Sequence, residues 1–325
     1  NFYGFINKID TPTSQKNIMI VNSKRWFVII NPTSGSGQGR REWPTIKAQL
    51  ELESFDFDFK FTKYQKDSIK ITHDAINQGF NRIISVGGDG TLHNIINGIQ
   101  THNSVNRDQI KLGIIPLGTG NDWVKTYKIP KNINHAIAVI KKGQVLQQDL
   151  GKIEFYNPQK QIVYFNNLAG VGFDGFVVSK IALYKRLGPV SYLLAAIVSL
   201  FSFSKFNASI SVGKKTFETR AFMILIGLCQ YSGGGMQLTN YNGPNNGYFN
   251  VSIVKNLTLF EVIKNLKNLY NGNIVKHQKV ETHRLKKIAI KLISKDLPFI
   301  EADGELLGKG HMTVSIIPKA LTFFC

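Results

Sequence analysis

Between Arg25 and Leu150 the hydrophobic positions fall into a repeating rhythm: a short apolar run, a polar or glycine-rich turn, then a helical pattern. The runs are Trp26-Phe-Val-Ile-Ile30, Phe55-Asp-Phe-Asp-Phe-Lys-Phe61, Arg82-Ile-Ile-Ser-Val86 and Lys111-Leu-Gly-Ile-Ile-Pro-Leu117. All but the second are nearly continuous in apolar residues, as strands covered on both faces are, whereas Phe55 to Phe61 alternates and suits a sheet edge. The pattern predicts βαβ units around a parallel sheet.

After Asp149 the rhythm changes to closely spaced strand-like runs, at 162–168, 208–212, 221–228, 248–254, 288–293 and 312–317. Two helical patterns interrupt them, Gly175 to Phe203 and Leu257 to Tyr270. This half reads as a mostly antiparallel β-sandwich or open barrel with helical insertions, and the boundary falls near Gly143 to Gly151.

The chain has 325 residues, more than one hydrophobic core usually organises, so two domains are expected. Hydrophobic residues at 43% and charged residues at 19% argue against wholesale disorder and against a protein of many membrane spans. The stretch Leu187 to Ser204 is free of charge for 18 residues, but Gly188, Pro189 and four serines interrupt it, leaving an apolar centre short of the roughly 20 residues a bilayer requires. A buried helix or the wall of a lipid groove fits it better. Cys229 and Cys325 are too few for a disulfide framework or a zinc site, so a reducing cytoplasm is expected. Residues 1–24 read as a peripheral leader.

Charge changes the picture more. Lys and Arg number 40 against 21 Asp and Glu, a formal +19, which calls for an acidic partner: nucleic acid, anionic membrane surface or nucleotide triphosphate. No nucleic-acid motif accompanies the charge, so nucleic acid is not expected.

The strongest chemical signal is Ser85-Val-Gly-Gly-Asp-Gly-Thr91, a strand running into glycines, an acid and a hydroxyl. Leu92, Ile95, Ile96 and Ile99 then follow at helical spacing, which sets a helix N-terminus beside the turn. Glycines let backbone N–H groups close on a ligand, and the helix dipole adds about half a positive charge, so phosphate belongs there. Asp89 would repel phosphate unless a cation stood between them, which assigns it to Mg2+ or to steering an acceptor hydroxyl. Two further loops, Asn31-Pro-Thr-Ser-Gly-Ser-Gly-Gln-Gly39 and Pro116-Leu-Gly-Thr-Gly-Asn-Asp122, follow the first and fourth strands. Ligands of open α/β sheets bind outside the carboxyl ends of the strands, where all three loops would meet, with Arg40 and Arg41 to neutralise phosphate. Neither a P-loop nor a Gly-x-Gly-x-x-Gly fingerprint is present. Asp303-Gly-Glu305 reads equally as a hairpin turn or as a site carboxylate.

Taken in order, Asn31-Pro, Gly87-Gly-Asp-Gly-Thr91, Ile115-Pro-Leu-Gly-Thr-Gly-Asn-Asp122, Phe165-Asn-Asn-Leu-Ala-Gly-Val-Gly-Phe-Asp174, Gly233-Gly-Gly-Met236 and Asp303-Gly-Glu305 resemble the diacylglycerol kinase catalytic fold, which includes bacterial lipid kinases and sphingosine kinases. The resemblance covers most of the chain. It implies a nucleotide-binding α/β domain over 25–148, a β-rich lipid-binding domain over 149–313, and a tail at 314–325 packing back on the first. It implies transfer of the γ-phosphoryl group of ATP to a lipid hydroxyl with Mg2+. Asn31, Thr62, Gly87, Gly88, Asp89, Gly90, Thr91, Leu92, His93 and Thr119 would contact ATP. Asp89, Asp122 and Asp149 would form an acidic network round the catalytic Mg2+, Asp89 would act in catalysis, and Glu305 stands where the family has its general base.

The sequence departs from the family in two places. His93 and Asn94 stand where relatives have Asn-Glu. The loop 241–250 has Asn where relatives have Asp, so the structural Mg2+ that Gly243, Asn246 and Tyr248 would hold loses ligand charge, which weakens binding of a hard cation. The expected partner is a lipid at the membrane surface, met peripherally by a cytoplasmic protein. Val190 to Phe203 and the β domain would sheathe its chains, and Lys180, Lys185, Arg186 and Lys205 would meet headgroups. A homodimer stays open, as do a kinase of a soluble metabolite such as NAD and a non-catalytic nucleotide or lipid-binding module.

Overall fold

The computed structural model describes residues 24–103, 107–156, 159–181, 198–243 and 245–325. The leader at 1–23, Lys185, Arg186 and most of the uncharged stretch lie outside the described residues.

The first half is built as its pattern predicts. Strands β1 (Trp26–Ile30), β2 (Phe57–Phe61), β3 (Arg82–Gly87) and β4 (Lys111–Pro116) pair in parallel in the order β2-β1-β3-β4. Side chains alternate across a strand, so Trp26, Val28 and Ile30 face α1 (Ser34–Leu52) and α5 (Ile133–Lys142). Phe27 and Ile29 turn instead to the opposite core, with α2 (Asp67–Asn77) and α3 (Asp89–Thr101). β2 is an edge strand as its alternation implies, with Asp58 and Lys60 exposed along it.

The sheet does not stop at β4. Strand β16 (Met312–Phe324) pairs in parallel with β4 at Thr322 and Phe323, antiparallel with β13 (Lys287–Leu292) at its other end, and with β5 (Val145–Tyr156) along its length. β8 (Phe206–Val212), β9 (Lys215–Ala221) and β6 (Lys160–Phe165) complete ten strands. A second sheet, wholly antiparallel, holds β7 (Leu168–Gly172), β10 (Met223–Gly227), β11 (Phe249–Val254), β12 (Val280–Leu285), β14 (Phe299–Ala302) and β15 (Glu305–Lys309) in the order β12-β11-β10-β7-β14-β15. The architecture is an α/β half joined to a β-sandwich, and one hydrophobic cluster runs from Ile95 and Leu112 through Phe155 and Phe323 to Ile226 and Ile300.

Several sequence runs are cut differently from their periodicity. The run 162–168 divides between two sheets because the N–H groups of Asn166, Asn167 and Leu168 leave the ladder and donate to Asp303. The run 221–228 divides at Phe222, whose N–H donates to Val254 O. β5 passes without a break through 145–151, where the boundary was expected. The first long helical pattern begins as α6 (Phe173–Ile181) and leaves the described residues at 182–197, while the second is broken at Asn265 into Leu259–Lys264 and Leu266–Tyr270. No helix among the described residues is long and apolar enough to cross a membrane.

Candidate functional site

The loops after β1, β3 and β4 leave the sheet on one edge and hold one another. Asn31 N donates to Val86 O (3.0 Å), and its side-chain Nδ2 donates to Thr91 Oγ1 (3.1 Å). Leu117 N donates to Gly87 O (2.8 Å), and Ser34 Oγ donates to Leu117 O. Backbones touch so closely here that a Cβ on Gly118 would lie 2.7 Å from Gly88 Cα. Arg40 and Arg41 flank the first loop beside Thr33 and Gly37, and Thr62 shares the adjoining groove with Pro32, Arg40 and Lys63. Of the other residues expected to bind nucleotide, Thr119 and Asp89 line a cavity of about 300 Å3 beyond this edge. Leu92 is core.

The carboxylates of that cavity are anchored by backbone. Asp89 accepts from Asp122 N (3.1 Å) at Oδ2. Asp122 accepts from Gly234 N (2.6 Å) and pairs with Lys125 Nζ (2.6 Å). Gly233, Gly234 and Gly235 all have positive φ, of 56°, 90° and 102°, so the run aims an N–H at Asp122 in a conformation that side chains would strain. Burial, and then the charge of Asp122, push the Asp89 carboxyl up to about 6. A buried carboxylate whose proton affinity is raised by a neighbouring one, beside a glycine turn at a helix N-terminus, makes with that neighbour a donor set for a hard divalent cation. A Cβ on Gly120 would stand 3.4 Å from Asp89 Oδ2 and 3.9 Å from Asp122 Oδ2, so both oxygens open towards one place. These residues fit Mg2+.

The second half closes the site. Asp303 and Gly304, with φ of 52° and 80°, form a two-residue turn between β14 and β15, so the motif is a hairpin turn. It also delivers Glu305: a Cβ on Gly90 would lie 2.6 Å from Glu305 Oε1, which sets this carboxylate on the first turn of α3. His93 points away from the phosphate turn. Its Nδ1 bonds Asp303 Oδ2 (2.9 Å) and its Nε2 meets Asn97 Nδ2 (3.2 Å), so with a carboxylate as acceptor the ring is the Nδ1–H tautomer.

Asp149 lies apart from this cavity. Its buried carboxylate accepts from Gly247 N (2.7 Å) and Lys319 N (2.8 Å), joining the loop before β11 to a bulge in β16. Around that loop Tyr248 N donates to Asn246 Oδ1 (3.0 Å), which fixes the amide so that Nδ2 donates to Asn242 O and Gly243 O, both at 2.8 Å. The amide nitrogen fills the place between those carbonyls that a cation would take. Gly243, Asn246 and Tyr248 do not fit a structural Mg2+.

Four residues of the site were not singled out from sequence. Lys125 follows Asp122 by one helical turn, and Asn121 takes the left-handed φ of 50° that starts α4 (Asp122–Thr126). Asp174 and Glu301 line the cavity as buried acids. Asp174 closes one of the motifs that carry the family resemblance but was given no role, and Glu301 carried no signal.

Residues 25–153 match the diacylglycerol kinase catalytic domain, and residues 167–325 match the YegS C-terminal NAD kinase beta sandwich-like domain. The chain is 31% identical over 288 residues to a diacylglycerol kinase of Staphylococcus saprophyticus, covering 88% of this chain and 90% of that protein. A Staphylococcus aureus diacylglycerol kinase is 31% identical over 88% of this chain and 87% of its own length. A crystal structure of a diacylglycerol kinase from Bacillus anthracis superposes with a TM-score of 0.66 at 22% identity, over 93% of this chain and 96% of that one, a likeness of fold. With matches to both halves and this identity over nine-tenths of a relative's length, the chain belongs to the diacylglycerol kinase family.

Proposed function

We propose that the protein transfers the γ-phosphoryl group of ATP to a hydroxyl of a membrane lipid. The observation that carries this reading is the approach of Glu305 to Gly90, which sets a carboxylate from the β-sandwich against the glycine turn of the α/β half. The backbone of Gly87 to Thr91, at the N-terminus of α3, receives the phosphates, with Arg40 and Arg41 beside them. Asp89 and Asp122 would hold Mg2+. When bound, the ion neutralises charge on the transferring phosphoryl group. Glu305 takes the proton of the acceptor hydroxyl as its oxygen bonds to the γ-phosphorus and the bond to the ADP oxygen breaks.

A lipid is favoured over a soluble acceptor by what adjoins the polar cavity. Phe173, Phe222, Met223, Met236, Val254 and Leu269 line an apolar pocket that meets it. Leu200 and Val262 wall the same pocket, and in their segments Val198, Phe201, Phe260 and Ile263 are exposed. Lys180, Lys205, Lys264 and Lys267 lie on or beside those helical segments, so an apolar rim with basic neighbours would meet an anionic leaflet peripherally.

The test is Mg2+-dependent transfer of labelled γ-phosphate from ATP into lipids in mixed micelles, with NAD and sugars alongside. Label in a lipid is expected, and Glu305→Gln should lower kcat by about 10²- to 10⁴-fold with the KM for ATP unchanged. Label only in a soluble acceptor would overturn the reading.

A further inference from the structure

Asp174 has no part in this chemistry, yet its position is unusual. It opens α6, is 5% exposed, and neither carboxylate oxygen meets a donor in hydrogen-bonding geometry. Buried polar groups are nearly always paired, so an unpaired one in a cavity wall marks a place for a ligand's donor. The fold makes room for it. A Cβ on Gly170 would lie 1.6 Å from Asp174 Oδ2, so only glycine in β7 admits this carboxylate.

Two cavities share Asp174. One is the polar cavity with Asp89, Asp122 and Thr119, and the other is the apolar pocket of Phe173, Phe222 and Met236. Leu238 is the other residue common to both linings. Glu301, 3% exposed, stands on the polar side of the same wall, where its Oε2 accepts from Gly304 N (2.9 Å) and so braces the turn that carries Glu305. Among the described residues the one cation lining the polar cavity is Lys125, already paired with Asp122.

We propose that Asp174, with Glu301 behind it, is a specificity subsite that takes the uncharged, hydroxyl-bearing head of the acceptor where its polar head meets its apolar chains. This rests on the lipid kinase reading above. The chains lie in the apolar pocket, the head bonds Asp174 as it crosses into the acidic cavity, and the reacting hydroxyl is presented towards Asp89 and Glu305. Burial raises the proton affinity of both acids, Asp174 to about 7 and Glu301 well above the carboxylate range, with the charge of Asp174 the next cause for Glu301. A pair that keeps a proton at neutral pH can donate to an ester carbonyl as well as accept from a hydroxyl. An anionic headgroup would enter a wall of four further carboxyls, Asp89, Asp174, Glu301 and Asp303, beyond the paired Lys125 and Asp122.

The experiment is steady-state transfer to a short-chain diacylglycerol and to phosphatidylglycerol of matched chains, by the wild type, Asp174→Asn and Asp174→Leu, with melting temperatures measured in parallel. Asp174→Asn is expected to raise the KM for diacylglycerol about tenfold, the worth of one well-placed hydrogen bond, and Asp174→Leu further. The KM for ATP should stay constant, and melting should not fall at neutral pH, because the change removes a carboxyl that burial penalises. Acceptor KM unchanged in both variants, or ATP KM moved equally, would overturn the subsite while leaving the lipid kinase intact. Wild-type turnover of phosphatidylglycerol matching that of diacylglycerol would also overturn it. Transfer to no lipid would remove the lipid kinase reading and this inference with it.

Discussion

Replacing Asp89 by Asn removes a charge that the protein holds in place with backbone N–H groups, so the fold should tolerate the change and the chemistry should not. We expect phosphoryl transfer to fall below about a hundredth of the wild-type rate with melting unchanged, and a rate above about a tenth would release Asp89 from cation binding. Asp174 gives a pH signature. Its ordinary value of 3.8 is raised to about 7 in the folded protein. Between those values the folded state keeps a proton that the unfolded chain has lost, so stability contributed by this group is present below pH 3.8 and is lost as pH rises to about 7. Melting curves across that window should slope downward in the wild type, and Asp174→Asn should flatten the slope. At this scale the sequence was informative where chemistry demands a residue type in a turn, as at Gly87 to Thr91 and Asp122. It was silent where function comes from burial, because nothing near Glu301 in the chain announces that strands from elsewhere will cover it.

Elements hold the site through contacts that periodicity does not encode. The apolar stripe of α3 is evident in Leu92, Ile95, Ile96 and Ile99, yet His93, Asn94 and Asn97 on its other side are buried too. That second face packs on β6, where Asn97 accepts from Tyr164 N (2.9 Å) and donates to Tyr164 O (2.8 Å). Asn97→Ala strands both buried groups and should cost about 2–5 kcal/mol in urea unfolding. A loss below about 1 kcal/mol would mean that water replaces the amide. The loop before β11 offers the converse experiment. Asn246→Asp exchanges the amide nitrogen for a second carboxylate oxygen facing two carbonyls, so Mg2+ should raise the melting temperature of the variant and not of the wild type above what the catalytic site contributes. The parallel strands and the edge role of β2 were legible because a strand covered on both faces must be apolar throughout. The division of 162–168 was not, because it is made by Asp303, far along the chain.

Across the whole molecule one cluster serves both halves, so they should unfold together. A single calorimetric transition is expected, and two separate ones would show that the halves are independent. β16 is the seam: Phe323 is fully buried and packs on Trp123 and Tyr127 with ring centroids 4.8 and 4.6 Å away. Phe323→Ala should cost about 3–5 kcal/mol and weaken transfer from a distance, since Trp123 follows Asp122 directly. The seam also sets a timetable for biosynthesis. β4 appears early on the ribosome, but the neighbour it needs at Thr322 and Phe323 is made after every other strand of the described residues. The nascent α/β half therefore waits with one flank of its sheet bare, open to chaperones or to mispairing, until synthesis of the second half finishes. Glu305, carried by the sandwich, reaches Gly90 of α3 at the same late stage.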